Sequence, residues 1–98
     1  MNRDPFWRAL APDALASRSW DDEFVVYNDV TGNTHHLSVL GRAVMTMLLS
    51  HPSGIALTAL VLGIADDAGT AADDELVEAV ERTLGHLAEL RLAAPVLA

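Results

Sequence analysis

The sequence predicts an α+β fold in which three strands precede three helices. Two observations support this prediction. Aromatic and β-branched residues with turn signals dominate the chain before Ser38, whereas Ala and Leu recur at helical spacing after it. The chain has 98 residues, of which 51% are hydrophobic, which suits one domain with one packed core. We therefore expect a single domain spanning residues 1–98.

Two strands joined by a short loop are predicted at residues 24–28 and 34–38. The first is a run of aromatic and β-branched residues, and either Gly32 or Asn33 can adopt the positive φ angle that the connection of a hairpin requires. A third strand is expected within residues 14–20, because a two-stranded hairpin alone is only marginally stable. These strands predict a three-stranded antiparallel sheet.

One face of this sheet is expected to pack on the helices. Successive residues of a strand point to opposite faces, so Phe24 and Val26 share one face and Val25 and Tyr27 share the other. A sheet covered on one side needs one continuous apolar face. We assign Phe24 and Val26 to the covered face and expect Val25 and Tyr27 to be exposed on the other.

The two ends of the chain carry weaker signals. Residues 1–13 show no regular pattern, and three alternatives stay open for them: loose order, packing on a partner, or a cover that Phe6 and Trp7 provide for the outer face of the sheet. Residues 92–98 predict one short extended piece at the other end.

Three helices are predicted at residues 39–49, 57–65 and 72–91. Ser38 is a suitable N-cap for the first, and the apolar residues of the second recur at i, i+3, i+4 and i+7. The third begins with acidic residues, which are favourable near the positive end of the helix dipole. Gly85 interrupts this helix, which indicates either close packing at that point or a local weak point.

The charge balance excludes several classes of function. Six arginines and no lysine stand against 14 acidic residues, so the net charge is −8 and no basic stripe is present. Sequence-independent nucleic-acid binding and attraction to anionic membranes are therefore not expected. No apolar run approaches the ~20 residues of a membrane span, and without cysteine nothing requires an oxidising compartment. We expect a cytoplasmic protein.

Catalytic and metal-binding motifs are missing from the sequence. It contains no nucleophile elbow, HExxH, P-loop or GxGxxG pattern, so we expect neither enzymatic activity nor a cofactor. His35 and His36 are adjacent, and adjacent strand residues point to opposite faces, so both cannot readily bind one ion. We expect no metal site. His51 and His86 are interpreted as surface or capping residues.

The order β-β-β-α-α-α in so short a chain is that of a small winged-helix domain. The segment Phe24–Ser38, with TGNTHHL at residues 31–37, is followed by the helix start Val39–Val44. This pattern resembles the PqqD-like family of peptide chaperones, and most closely the subgroup of the HPr-rel-A system, which is associated with an HPr-kinase-related protein. The resemblance covers roughly residues 14–96. The sequence departs from the family pattern at His36, where an apolar residue is common, and at Arg91, where Gly is frequent.

The resemblance implies a recognition element for ribosomally made precursor peptides. Such a domain is not catalytic; it binds the leader segment as a strand beside the third strand and against the third helix, and it presents the peptide to a modifying enzyme or kinase-related partner. An unpaired strand edge supplies the backbone donors and acceptors that this mode needs. The expected contacts are Asn33, Thr34, His35, His36, Val77, Val80, Glu81 and Leu84.

Three other interpretations stay open. A winged helix can be a DNA-binding transcription regulator, although the acidic helices here argue against it. The domain can instead be an adaptor subunit that docks directly on an enzyme, and its free strand edge can also pair with a second copy in a homodimer. Glu78 and Glu81 belong either to a solvated helix face or to a surface that steers a basic peptide.

Overall fold

The computed structural model describes residues 5–10, 15–20, 23–28 and 32–96. Within these ranges the chain forms two three-stranded sheets and three helices, which confirms the predicted α+β class with three strands of one antiparallel sheet ahead of three helices. In chain order the elements are β1 (Phe6–Ala9), β2 (Leu15–Trp20), β3 (Glu23–Asn28), β4 (Asn33–Leu37), α1 (Val39–Ser50), β5 (Ile55–Ala56), α2 (Leu57–Ala68), α3 (Asp74–Glu89) and β6 (Ala93–Val96).

The predicted hairpin forms the larger sheet, whose strand order is β2-β3-β4. Its register pairs Phe24 with Leu37 and Val26 with His35, and Gly32 has the positive φ angle, 77°, that the sequence led us to expect at the connection. β3 is the central strand. In the part of the chain that the structure describes, β4 pairs only with β3, so its other edge is unpaired.

A second sheet, with strand order β5-β1-β6, was not predicted as a sheet. The predicted extended piece near the C-terminus is confirmed as β6. The N-terminal segment supplies β1, which lies between β5 and β6 and pairs Trp7 with both Ile55 and Pro95. Trp7 packs against the core, whereas Phe6 is exposed. Phe6 and Trp7 therefore extend a separate sheet and do not cover the hairpin.

The ends of the helices follow the capping chemistry of the sequence. The Ser38 side chain accepts the N–H of Gly41 at 3.1 Å, and the Asp73 side chain accepts the N–H of Leu76 at 2.9 Å. α2 continues three residues beyond its predicted end, to Ala68, and Gly69, whose φ is 67°, closes the helix. None of the three described helices is long and apolar enough to cross a membrane.

The core draws on both sheets and on one face of every helix. Val26 is fully buried in it, as predicted, and Tyr27 is exposed. The expectation for Val25 is wrong, because only 8% of this residue is exposed. It lies on the central strand β3, between β2 and β4, where a side chain on either face has neighbouring strands on both sides.

Candidate functional site

A groove of about 460 Å³ opens between the end of β4, the first turn of α1 and one face of α3. Its volume falls in the range that is usual for ligand sites, ~300–1,000 Å³. Because β4 is an edge strand, the groove lies beside unpaired backbone. The residues that line it are His36, Leu37, Ser38, Leu40, Gly41, Ala79, Arg82, Thr83, His86 and Leu87.

The unpaired edge of β4 offers hydrogen-bonding groups to an incoming chain. In an antiparallel pair, alternate residues direct their N–H and C=O groups to the partner strand, and the residues between them direct these groups away from it. The backbone groups of β4 that do not bond β3 are therefore available to another strand. An extended segment that bonds to them would lie along the groove.

Three of the lining residues form an apolar wall. Leu87 is fully buried in the core, and Leu37 and Leu40 are half-buried and pack against the same core. Gly41 brings the first turn of α1 close to β4, since a Cβ atom there would lie 3.2 Å from the Cβ of Leu37. An apolar side chain that entered this part of the groove would exchange water for hydrocarbon contacts.

The polar lining residues differ in whether their side chains are already bonded. The Thr83 hydroxyl donates to the Ala79 carbonyl at 2.8 Å, and the Ser38 hydroxyl accepts the N–H that it caps. His36, Arg82 and His86 are exposed. These three side chains are the groups at the groove that are best placed to bond a ligand.

The groove face of α3 is set by its helical spacing. Ala79, Arg82, Thr83 and His86 stand at i, i+3, i+4 and i+7, which is one continuous stripe of a helix. The adjoining stripe contains residues with no exposed surface, including Leu84. α3 therefore presents one stripe to the core and the neighbouring stripe to the groove.

The predicted contacts on β4 all lie on the edge strand. Asn33 pairs with Asn28, and Thr34 is exposed. His36 is exposed and lines the groove, whereas His35 is half-buried and lies opposite Val26 on the inner face. Of these four residues, the structure thus brings His36 to the groove.

The predicted contacts on α3 lie elsewhere. Val80 and Leu84 have no exposed surface and belong to the core, and neither lines the groove. Val77 lines a separate pocket of about 140 Å³ between α2 and α3. Glu81 is exposed but is not among the residues that line the groove.

The stripe formed by Ala79, Arg82, Thr83 and His86 was not predicted. A signal for them was present, because the buried apolar stripe of an amphipathic helix also defines the stripe next to it. Small residues on that flanking stripe leave room for a ligand, and Ala79 is one of them. Only the position of α3 against β4 shows which of the two flanking stripes faces the strand edge.

His35 carries an unusual polar atom. Its Nε2 is buried without a hydrogen-bond partner among the residues described. A neutral imidazole has one donor and one acceptor nitrogen, so one of its hydrogen bonds is unmade here. In the ranges that the structure covers, no three His, Asp or Glu side chains come together in a way that could hold a metal ion.

A second cavity of about 570 Å³ lies between α1 and α2. Asp66, Asp67 and Arg42 line it together with apolar residues. It has no strand among its lining residues, so it cannot supply backbone hydrogen bonds in a row. The groove beside β4 is the better candidate site for an extended chain.

The fold resembles that of a known peptide-bound protein. The solved structure of TbiB1 in complex with the TbiA(beta) leader peptide aligns with a TM-score of 0.69 over 93% of this chain and 99% of that chain, at 20% sequence identity. No protein-family model matches the sequence, and no curated protein matches it. The chain therefore has the fold of TbiB1.

Proposed function

We propose that this domain is a non-catalytic peptide-binding chaperone. It binds the leader segment of a ribosomally made precursor peptide as a strand added to β4, holds it against α3, and presents it to a modifying enzyme. The observation that carries the proposal is the unpaired edge of β4 beside the groove. This edge and groove combine backbone pairing, which supplies affinity, with side-chain pockets, which supply selection.

Two further features support the proposal. TbiB1, whose fold this chain has, was solved with a leader peptide bound. The hairpin segment TGNTHHL also resembles the PqqD-like family, and specifically the HPr-rel-A subgroup, in which an HPr-kinase-related protein is the expected partner. A cytoplasmic location is part of the proposal, since precursor peptides are made by the ribosome.

The other interpretations gain no comparable support. Regulation of transcription needs several phosphate contacts, and the net charge of −8 opposes a nucleic acid. An adaptor that docks directly on an enzyme would not use a groove shaped for an extended chain. Pairing of β4 with a second copy of the domain would compete with the peptide for the same edge.

The test is a selection of peptides on the full chain. A display library of random dodecapeptides is panned against the immobilised protein, and binding of the enriched peptides is measured by fluorescence anisotropy. The variant Ala79→Trp fills the groove with an indole ring, so we expect it to weaken binding at least tenfold. Ala59 is exposed on α2 and lines none of the cavities described above, so Ala59→Trp is the matched control and should bind as the original chain does.

Two results would refute the proposal. Panning that enriches no peptide above a blank support would exclude binding of extended chains. Enriched peptides that bind Ala79→Trp as tightly as the original chain would show that the groove is not their site. Circular dichroism of both tryptophan variants shows whether the fold is intact.

A further inference from the structure

We infer that the groove selects a segment in which an apolar side chain and a carboxylate stand two residues apart, with Arg82 binding the carboxylate. This inference rests on the proposed function and names the class of peptide. It assigns to Arg82 a role in specificity, with His36 and His86 beside it. The leader would then contain Asp or Glu next to a Leu, Ile, Val or aromatic residue on the same face.

The charge of the groove is opposite to that of the whole chain. The chain has 14 acidic residues and a net charge of −8, yet among the residues that the structure describes no carboxylate lines the groove. Arg82 brings a fixed positive charge there, and the rings of His36 and His86 carry an N–H donor in either protonation state. A carboxylate is the ligand group that accepts hydrogen bonds from all three.

The spacing of two residues between the apolar side chain and the carboxylate follows from the rise per residue of α3 and of a strand bound opposite it. Ala79 and His86 are seven residues apart on α3, which corresponds to ~10.5 Å along the helix. A strand covers that length in about three residues at ~3.3 Å per residue. Two side chains on one face of a strand, at i and i+2, stand ~6.6 Å apart, so both fit within the length of the groove. One meets the apolar wall of Leu37 and Leu40, and the other meets Arg82.

An acidic peptide in the groove is the opposite of the basic peptide that Glu78 and Glu81 were expected to steer. Both residues are exposed on α3, but neither lines the groove. Charges that face open solvent act weakly beyond a Debye length, ~8 Å at physiological ionic strength. A carboxylate in contact with Arg82 is screened less, because part of its surroundings is the protein. The contact with Arg82 therefore favours an acidic peptide, even though the net negative charge of the chain repels it.

The test uses the peptides from the panning described above. We expect an excess of Asp and Glu two positions from an apolar residue. Arg82→Gln should weaken the binding of such a peptide about fivefold or more, in line with a partly exposed charge-assisted hydrogen bond. Arg8 is exposed on β1, outside the groove, so Arg8→Gln makes the same change in net charge and should alter the affinity less than twofold.

A double-mutant cycle shows whether Arg82 acts on the carboxylate itself. The peptide is resynthesised with Asn for Asp or Gln for Glu and measured against the original chain and Arg82→Gln. Coupling predicts that the peptide change costs several-fold against the original chain and little against the variant.

The outcomes separate the inference from the proposed function. Enriched peptides that lose binding to Ala79→Trp but contain no excess of acidic residues would overturn the inference and leave the function standing. Equal losses for Arg82→Gln and Arg8→Gln would overturn it as well. Panning that enriches no peptide would overturn both.

Discussion

Replacing Leu84 by Ala tests the division of α3 between core and groove. Leu84 has no exposed surface, and it packs in the core with residues of α1, α2 and β3. Truncation of a buried Leu costs about 2–5 kcal/mol, because transfer free energy is lost and a cavity remains. Domains of this size are stable by ~5–15 kcal/mol. Leu84→Ala should therefore remove a large fraction of the stability and lower Tm by on the order of 10 °C or more.

The assay is equilibrium unfolding in urea, with the neighbouring residue as control. Thr83 lines the groove and its hydroxyl bonds only within the helix, so Thr83→Ala should change the free energy of unfolding by less than about 1 kcal/mol. The affinity of the folded Leu84→Ala protein for a groove-bound peptide should be nearly unchanged. Unfolding of Leu84→Ala within about 0.5 kcal/mol of the original, together with lost peptide binding, would refute the assignment of this residue to the core.

Two further predictions concern exposed positions of the helices. Gly85 is exposed and a Cβ atom there would meet nothing within 4 Å, so Gly85→Ala should raise the free energy of unfolding by up to ~1 kcal/mol. Gly69 has a φ of 67°, so Gly69→Ala should lower the free energy of unfolding by ~1 kcal/mol. Urea unfolding measures both, and a loss of stability in Gly85→Ala would contradict the account. Joint replacement of Glu78 and Glu81 by Gln should change the affinity for a groove-bound peptide less than twofold at physiological ionic strength. A several-fold loss in fluorescence anisotropy would restore them as part of the site.

The local chemistry of the sequence was enough to predict the hairpin and the helices. Alternation, turn residues and N-caps act over a few residues, so without knowledge of the fold Ser38 could be assigned as an N-cap and the positive φ angle could be narrowed to Gly32 or Asn33. The second sheet could not be predicted in this way. β1 is four residues long, and its partners β5 and β6 lie far along the chain, so no local pattern distinguishes it from an irregular end.

Gly85 shows the same limit on a smaller scale. The sequence left two explanations for a glycine inside α3, close packing and a weak point. The structure excludes close packing, because nothing stands within 4 Å of the position that a Cβ would take. Whether a neighbour approaches a helix at a given residue depends on the packing of other elements, which the helical period alone does not contain.

The candidate site was predicted in part. The edge strand and the choice of α3 followed from the hairpin and the resemblance, and His36 does line the groove. Of the predicted helix contacts, Val80 and Leu84 lie in the core, and none of the four lines the groove. The flanking stripe with Arg82 could be assigned only from the position of α3 across the groove from β4.

The most direct measurement of the central claim is amide hydrogen exchange along β4 with and without a bound peptide. Added pairing predicts that alternate amides gain protection, either those of Thr34 and His36 or those of His35 and Leu37, while the other set is already protected by β3. The backbone amides of the α3 residues that line the groove should change chemical shift when the peptide binds, but they should gain no protection from exchange. Unchanged exchange throughout β4 in a saturated complex would contradict the account.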